Sequence, residues 1–385
     1  MSAMIDFSFY TAGKIVFGPG RLREIGKHAA ALGSRALLVT GKSFLRQTGR
    51  LAEIVRRLNE ESIEVLVFEQ APPEPTLHVV ERGIAEFRAR ECDIVVAVGG
   101  GSAIDVGKTI AALGNAPGAV REYFRGRELD QKGHSFAAVP TTAGSGAEVT
   151  PNAVLIDEEQ GVKASIRSPH MLADLVIVDP ELMLTLPPEI TAHSGMDALC
   201  QAMEAFVSRG STPLTDALAG GAAARLISSL LPVYRDGGNL GLRTEVALAS
   251  LMSGIAFANA RLGLAHGMAH PLGVITGLPH GLVCALLLPH VVRFNMPVSA
   301  AKYARLSRLA GISSAQAADD EAGMELVGAI EGLNAEMRIE ERRSELRISR
   351  GNWPTIIEQT LASGSTRSNP RSVTAADVEE LLASL

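Results

Sequence analysis

With 385 residues, 46% of them hydrophobic and 20% charged, the chain carries ample material for a packed core and exceeds the usual single-domain length, so two domains are expected. A net charge of −6 with both signs dispersed offers no basic stripe to a phosphate backbone, which excludes nucleic acid as an expected partner. The opening Met1–Tyr10 lacks a basic region followed by an apolar core, and no later apolar run approaches membrane-spanning length without interruption, so a cytoplasmic protein with no membrane partner is expected.

Short apolar runs punctuate the first half: 36–40, 65–68, 94–98, 136–139 and 175–178 read as strands, with helical patterns over 46–59 and 77–90 between several of them. That alternation predicts a parallel α/β sheet. Asp179-Pro180 and Leu186-Pro-Pro188 then break the chain, placing a domain boundary near 185. Beyond it, 191–207, 214–230 and 243–260 follow a helical period rich in Ala, Leu and Met, so residues 186–385 are expected to be all-helical and residues 1–185 α/β.

Two loops in the first half suit an anionic ligand. The strand at 94–98 runs into Gly99-Gly100-Gly101-Ser102, where Ser102 is expected to cap a helix and Asp105 to close a capping box. Glycines allow close backbone approach, and free N–H groups at a helix start favour a pyrophosphate. The spacing between Gly101 and Gly107 is one residue too long for an ATPase P-loop. A second loop, Pro140–Val149, supplies Thr141, Thr142 and Ser145 to a ribose, phosphate or nicotinamide. Taken singly, each loop also reads as an ordinary turn.

The second half concentrates potential metal ligands. His266, His270 and His280 are three of the nine histidines and lie close together, although Pro271 is expected to make the helix at 265–269 irregular. On another helix, Asp197, Cys200 and Gln201 fall at i, i+3 and i+4 and can approach one locus. Asp197, His266 and His280 could bind one divalent cation, with imidazole and carboxylate suiting iron or zinc. The alternative is packing histidines and a helix-pairing aspartate. The cysteines, Cys92, Cys200 and Cys284, are too few and scattered for a disulfide framework and read as buried small hydrophobes.

Over nearly its whole length the chain resembles the iron-dependent (group III) alcohol dehydrogenases. The resemblance is carried by Gly99–Lys108, Thr141–Glu148, Val178-Asp-Pro180, Gly195–Leu199, His266–Gly273 and Asn369-Pro-Arg371. It implies a dehydroquinate synthase-like fold, an α/β dinucleotide-binding domain with a parallel sheet followed by an all-α metal-binding domain, with catalysis in the cleft between them. It also implies a homodimer that interconverts small alcohols with aldehydes or ketones. By position, Gly99, Gly100, Gly101 and Ser102 would bind pyrophosphate. Gly41, Lys42, Ser43, Thr141, Thr142, Ser145, Lys163 and Leu182 would complete the cofactor site. Asp197, His266 and His280 would hold Fe2+ or Zn2+, His270 would relay a proton, and Asn152 and Phe257 would line the substrate pocket.

One departure stands out. The family pattern places His four positions after the ligand Asp, where this chain has Gln201. Gln201 could complete a looser metal site through its amide oxygen, Cys200 could substitute as a thiolate, or the enzyme could work without metal, in the manner of maleylacetate reductases. A hydroxyacid–oxoacid transhydrogenase and a catalytically inactive dinucleotide-binding relative are further alternatives. Gly41-Lys42-Ser43 occupies the turn where NAD-preferring members often carry Asp. Gly41 cannot repel a 2′-phosphate and Lys42 can attract one, which tilts the expectation toward NADP while retaining NAD.

Overall fold

The structure, a computed structural model, describes residues 6–385, so part of the opening segment read above for a targeting signal lies outside the described residues. The chain divides into two compact units, Thr11–Leu184 and Thr185–Leu385, with residues 6–10 belonging to the second. The α/β unit therefore begins at Thr11 rather than at residue 1. Asn259 ties the early segment to the helical unit: its Oδ1 accepts from the Tyr10 N–H at 2.7 Å, and its amide donates to the Tyr10 carbonyl at 2.9 Å.

In the first unit six parallel strands are ordered β1-β8-β5-β4-β2-β3. They are β1 (Lys14–Phe17), β2 (Arg35–Gly41), β3 (Glu64–Ala71), β4 (Ile94–Gly99), β5 (Ser135–Pro140) and β8 (Leu175–Val178). Every residue of β4 is buried, and its run of Ile, Val and Ala shows no alternation because both faces of the sheet are covered. From the centre, β2 continues outward to β3 and β4 continues the other way to β5. Such a reversal opens the carboxyl edge of a parallel sheet to a ligand.

Counting helices of ten or more residues, this unit holds α1 (Arg50–Glu60), α2 (Leu77–Ala89) and α3 (Gly101–Leu113). The helix expected over 46–59 is split, because Gly49 adopts a left-handed φ of 72° between a short turn at Phe44–Gln47 and α1. An antiparallel hairpin, β6 (Asn152–Asp157) and β7 (Val162–Arg167), was not expected from sequence. Its β6 buries Ala153 and Leu155 on one face and carries a fully buried Asp157, paired with Arg121 at 3.2 Å, where an apolar residue would have marked the strand.

The second unit is helical: α4 (Pro188–Val207), α5 (Pro213–Arg235), α6 (Leu240–Ala260), α7 (Leu264–Thr276), α8 (His280–Leu309), α9 (Asp319–Glu336), α10 (Trp353–Ala362) and α11 (Ala375–Ser384). Three of them, α5, α6 and α8, are long and apolar enough to cross a membrane by length and composition, with charged residues such as Arg225, Arg243 and Arg293 interrupting each apolar run. Here α5 packs on α4 and α6, and α8 on α4 and α9, so helix neighbours cover much of that apolar surface. Pro271 does not interrupt α7, which continues to Thr276. Asn369 secures the start of α7: its Oδ1 accepts from the Leu264 N–H at 3.2 Å, and its side chain exchanges hydrogen bonds with Asn295 on α8 at 2.7 and 3.0 Å.

Candidate metal centre and nucleotide-binding edge

In the α/β unit the loops following β2, β4, β5 and β8 all leave from the carboxyl edge of the sheet. Gly99 ends β4 and Gly100 precedes α3, whose N-terminus has no side-chain cap. The expected cap and capping box at Ser102 and Asp105 do not form. Ser102 lies inside the first turn and donates its hydroxyl to the Pro73 carbonyl at 2.5 Å, while Asp105 is buried and accepts from the Val154 N–H at 2.9 Å. The first N–H groups of this thirteen-residue helix therefore receive no capping side chain.

The two glycine-bearing loops meet at this edge. The Thr141 N–H donates to the Gly99 carbonyl at 2.9 Å, and a Cβ on Gly101 would come within 2.5 Å of Ser145 Oγ. Gly100 faces Thr142 at 3.5 Å on the same measure. Lys108 explains the rest of its motif. Fully buried, its ammonium donates to the carbonyls of Ala147, Thr150 and Asn152 at 2.6–2.8 Å and clamps the second loop onto α3. Gly41 ends β2, with Lys42 and Ser43 exposed beyond it. Lys163 donates to Glu74 at 2.6 Å. Leu182 is buried in the core cluster beneath the sheet. Asn152 opens β6, with its Oδ1 buried and unpartnered.

In the helical unit, Asp197 on α4, His266 on α7 and His280 at the start of α8 converge. Asp197 Oδ1 lies 3.2 Å from His266 Nε2 and 3.9 Å from His280 Nε2. Gly281 makes the approach possible: a Cβ there would stand 2.2 Å from the His193 carbonyl oxygen of α4, so only glycine lets α8 begin this close. The His270 ring lies 5.4 Å from that of His280, centroid to centroid. Phe257 is buried on α6. Gln201, one turn beyond Asp197, is buried with its Oε1 lacking any hydrogen-bond partner.

Sequence reasoning missed two residues here. Glu204 is buried two turns beyond Asp197 on α4, and its carboxylate accepts from His266 Nδ1 at 2.7 Å and from the Gly263 and Ala265 N–H groups at 2.9 and 2.7 Å. It thereby fixes the ring so that Nε2 faces Asp197. Cys284, treated above as a small hydrophobe, lies one turn after His280 with Sγ 3.5 Å from His280 Nε2. Its signal was the i, i+4 spacing from a candidate ligand. Donor atoms of Asp197, His266, His280 and Cys284 all fall within 4.8 Å of one another, a hard and soft set that fits a divalent transition metal.

The electrostatics follow from that crowding. Burial opposes charge on His266, but the facing Cys284, Glu204 and Asp197 outweigh it and raise the imidazole well above its ordinary range. Burial likewise opposes a Cys284 thiolate, yet the Cys200 thiol and the charges of His266 and His280 bring it well below the usual thiol range. Cys200 moves the opposite way, pushed well up by burial and by its hydrogen bond with Cys284.

The sequence matches the iron-containing alcohol dehydrogenases over residues 12–180 and the C-terminal part of the same family over residues 191–385. The 1,3-propanediol dehydrogenase of Klebsiella pneumoniae is 36% identical over 367 residues, covering 95% of each chain. The lactaldehyde reductase of Escherichia coli K12 is 33% identical over 368 residues, covering 95% of this chain and 96% of that one. A crystal structure of 1,3-propanediol oxidoreductase superposes with a TM-score of 0.95 at 36% identity, over 98% of this chain and 99% of the other. The chain belongs to the iron-containing alcohol dehydrogenase family and is an alcohol/aldehyde oxidoreductase.

Proposed function

We propose that the chain is a nicotinamide-linked dehydrogenase that interconverts small alcohols with aldehydes or ketones at a divalent metal held by Asp197, His266 and His280. The observation that carries this is the convergence of buried Asp197 and His266 with the partly exposed His280, with Glu204 orienting His266 from behind. When bound, the cation supplies Lewis acidity toward a substrate oxygen and the nicotinamide supplies the hydride acceptor or donor.

The chain's own residues bind, orient and move protons. Gly99, Gly100, Gly101 and Ser102 present backbone N–H groups to the pyrophosphate, while Thr141, Thr142, Ser145 and Lys163 offer polar contacts to the rest of the dinucleotide. Leu182, buried just beyond β8, offers an apolar contact to the dinucleotide. A ring nitrogen of His270 takes the alcohol proton and passes it toward solvent. Asn152 and Phe257 serve substrate recognition. Lys42, exposed beyond β2, attracts the 2′-phosphate of NADP where NAD has only a hydroxyl. The reading includes a homodimer in the cytoplasm, checked by sedimentation and by fractionation.

The test is anaerobic purification with metal analysis, followed by NADH and NADPH oxidation over a panel of aldehydes and ketones. Turnover that a chelator removes and Fe2+ or Zn2+ restores supports the reading. No absorbance change across the panel with either metal supplied overturns it.

A further inference from the structure

We infer that Cys284, as a thiolate, is the fourth protein ligand of this metal, replacing the imidazole absent at position 201 and giving a carboxylate, bis-imidazole and thiolate site that favours zinc over iron. The inference rests on the metal-centred reading above and goes beyond it in naming a donor and a metal preference.

Geometry carries the argument. Tetrahedral zinc with ordinary Zn–N, Zn–O and Zn–S bonds separates its donor atoms by about 3.3–3.6 Å. The distances here bracket that edge: 3.2 Å from Asp197 to His266, 3.9 Å from Asp197 to His280 and 3.5 Å from His280 to Cys284. His280 and Cys284 project from successive turns of α8, so one rigid helix carries two donors, and Gly281 brings that helix against the one bearing Asp197.

The competing donors fit less well. Cys200 Sγ lies 3.8 Å from His266 Nδ1, the nitrogen already bonded to Glu204, and so sits behind the ring instead of at its Asp197-facing side. Gln201 offers a single neutral amide oxygen, a weaker donor to a borderline-soft cation than a thiolate. Binding takes up the Cys284 sulfur as a thiolate and displaces to solvent the protons that the ligand set holds, with no change in oxidation state.

The experiment is zinc K-edge X-ray absorption on the purified wild type, Cys200→Ser and Cys284→Ser, each loaded with one equivalent of Zn2+. The expected result is one sulfur at about 2.3 Å per zinc in wild type and Cys200→Ser, falling to none in Cys284→Ser. Should Cys284→Ser fail to fold, wild type and Cys200→Ser still decide, because the only other cysteine, Cys92, lies in the α/β unit. A shell of nitrogen and oxygen alone in wild type overturns the inference and leaves the metal-centred function standing. So does loss of the sulfur in Cys200→Ser, or its retention in Cys284→Ser. Failure of the wild type to bind zinc or iron overturns both.

Discussion

Glu204 accepts from His266 Nδ1 at 2.7 Å while the opposite nitrogen of the same ring faces Asp197 at 3.2 Å. The carboxylate also receives the Gly263 and Ala265 N–H groups, so one side chain fixes both the start of α7 and the rotation of its first histidine. Glu204→Gln keeps the shape but turns one acceptor into a donor facing groups that themselves donate. Metal affinity is expected to fall about 10–100-fold, measured by competition with a chromogenic chelator. Unchanged affinity would show that the ring is held by packing alone.

Gly281 is the second point on which the centre depends. A Cβ at this position would meet the His193 carbonyl oxygen at 2.2 Å, a backbone atom that cannot swing aside. Gly281→Ala is expected to push α8 from α4, destabilising the protein by about 1–3 kcal/mol. Bound metal should be lost with it, because His280 moves while Asp197 stays. Chemical denaturation and metal analysis on the same preparation check both effects, and a variant that retains full metal with wild-type stability contradicts the packing argument.

The parts of this molecule that were legible in the sequence are those in which local pattern and tertiary role coincide. The central strands are continuous apolar runs because the sheet is covered on both sides, and Asp197, His266 and His280 are residue types with few other reasons to cluster. Ser102 and Asp105 misled because a good capping sequence was used otherwise, Ser102 donating to Pro73 and Asp105 anchoring the hairpin through Val154. Cys284 was hidden for a similar reason: a cysteine in an apolar helix looks like packing until α8 is laid against α4. The hairpin escaped notice because its buried face includes Asp157, whose partner Arg121 is 36 residues away.

At the sheet edge, the closeness of Gly101 to Ser145 gives a prediction about the nucleotide. A Cβ on Gly101 would stand 2.5 Å from Ser145 Oγ and 2.9 Å from Ser145 Cβ, so alanine forces the two loops apart. Gly101→Ala is expected to weaken dinucleotide binding about tenfold, equivalent to roughly 1.4 kcal/mol, with the metal content unchanged. Titration of NADH or NADPH fluorescence measures it. Equal affinity in the variant would remove these loops from the cofactor site.

Beneath those loops, buried ionisable groups make the stability of the α/β unit depend on pH. Burial raises Glu148 to about 7, and it also lowers Lys108 to about 8 against the opposing pull of Asp105 and Glu148. Folded Glu148 keeps a proton that the unfolded chain releases, so its contribution is full below about pH 4.5 and is lost as pH rises through about 7. Folded Lys108 is a buried ammonium at neutral pH, where its desolvation cost is full, and between about 8 and 10.5 it has released a proton that the unfolded chain keeps, which relieves that cost. Glu148→Gln removes the first slope while keeping the side-chain shape. Its stability should match wild type near pH 4.5 and exceed it on the order of 1–3 kcal/mol at pH 8. Denaturant titrations at a series of pH values decide the matter, since a difference that does not vary with pH would mean that Glu148 acts by packing and not by its buried charge.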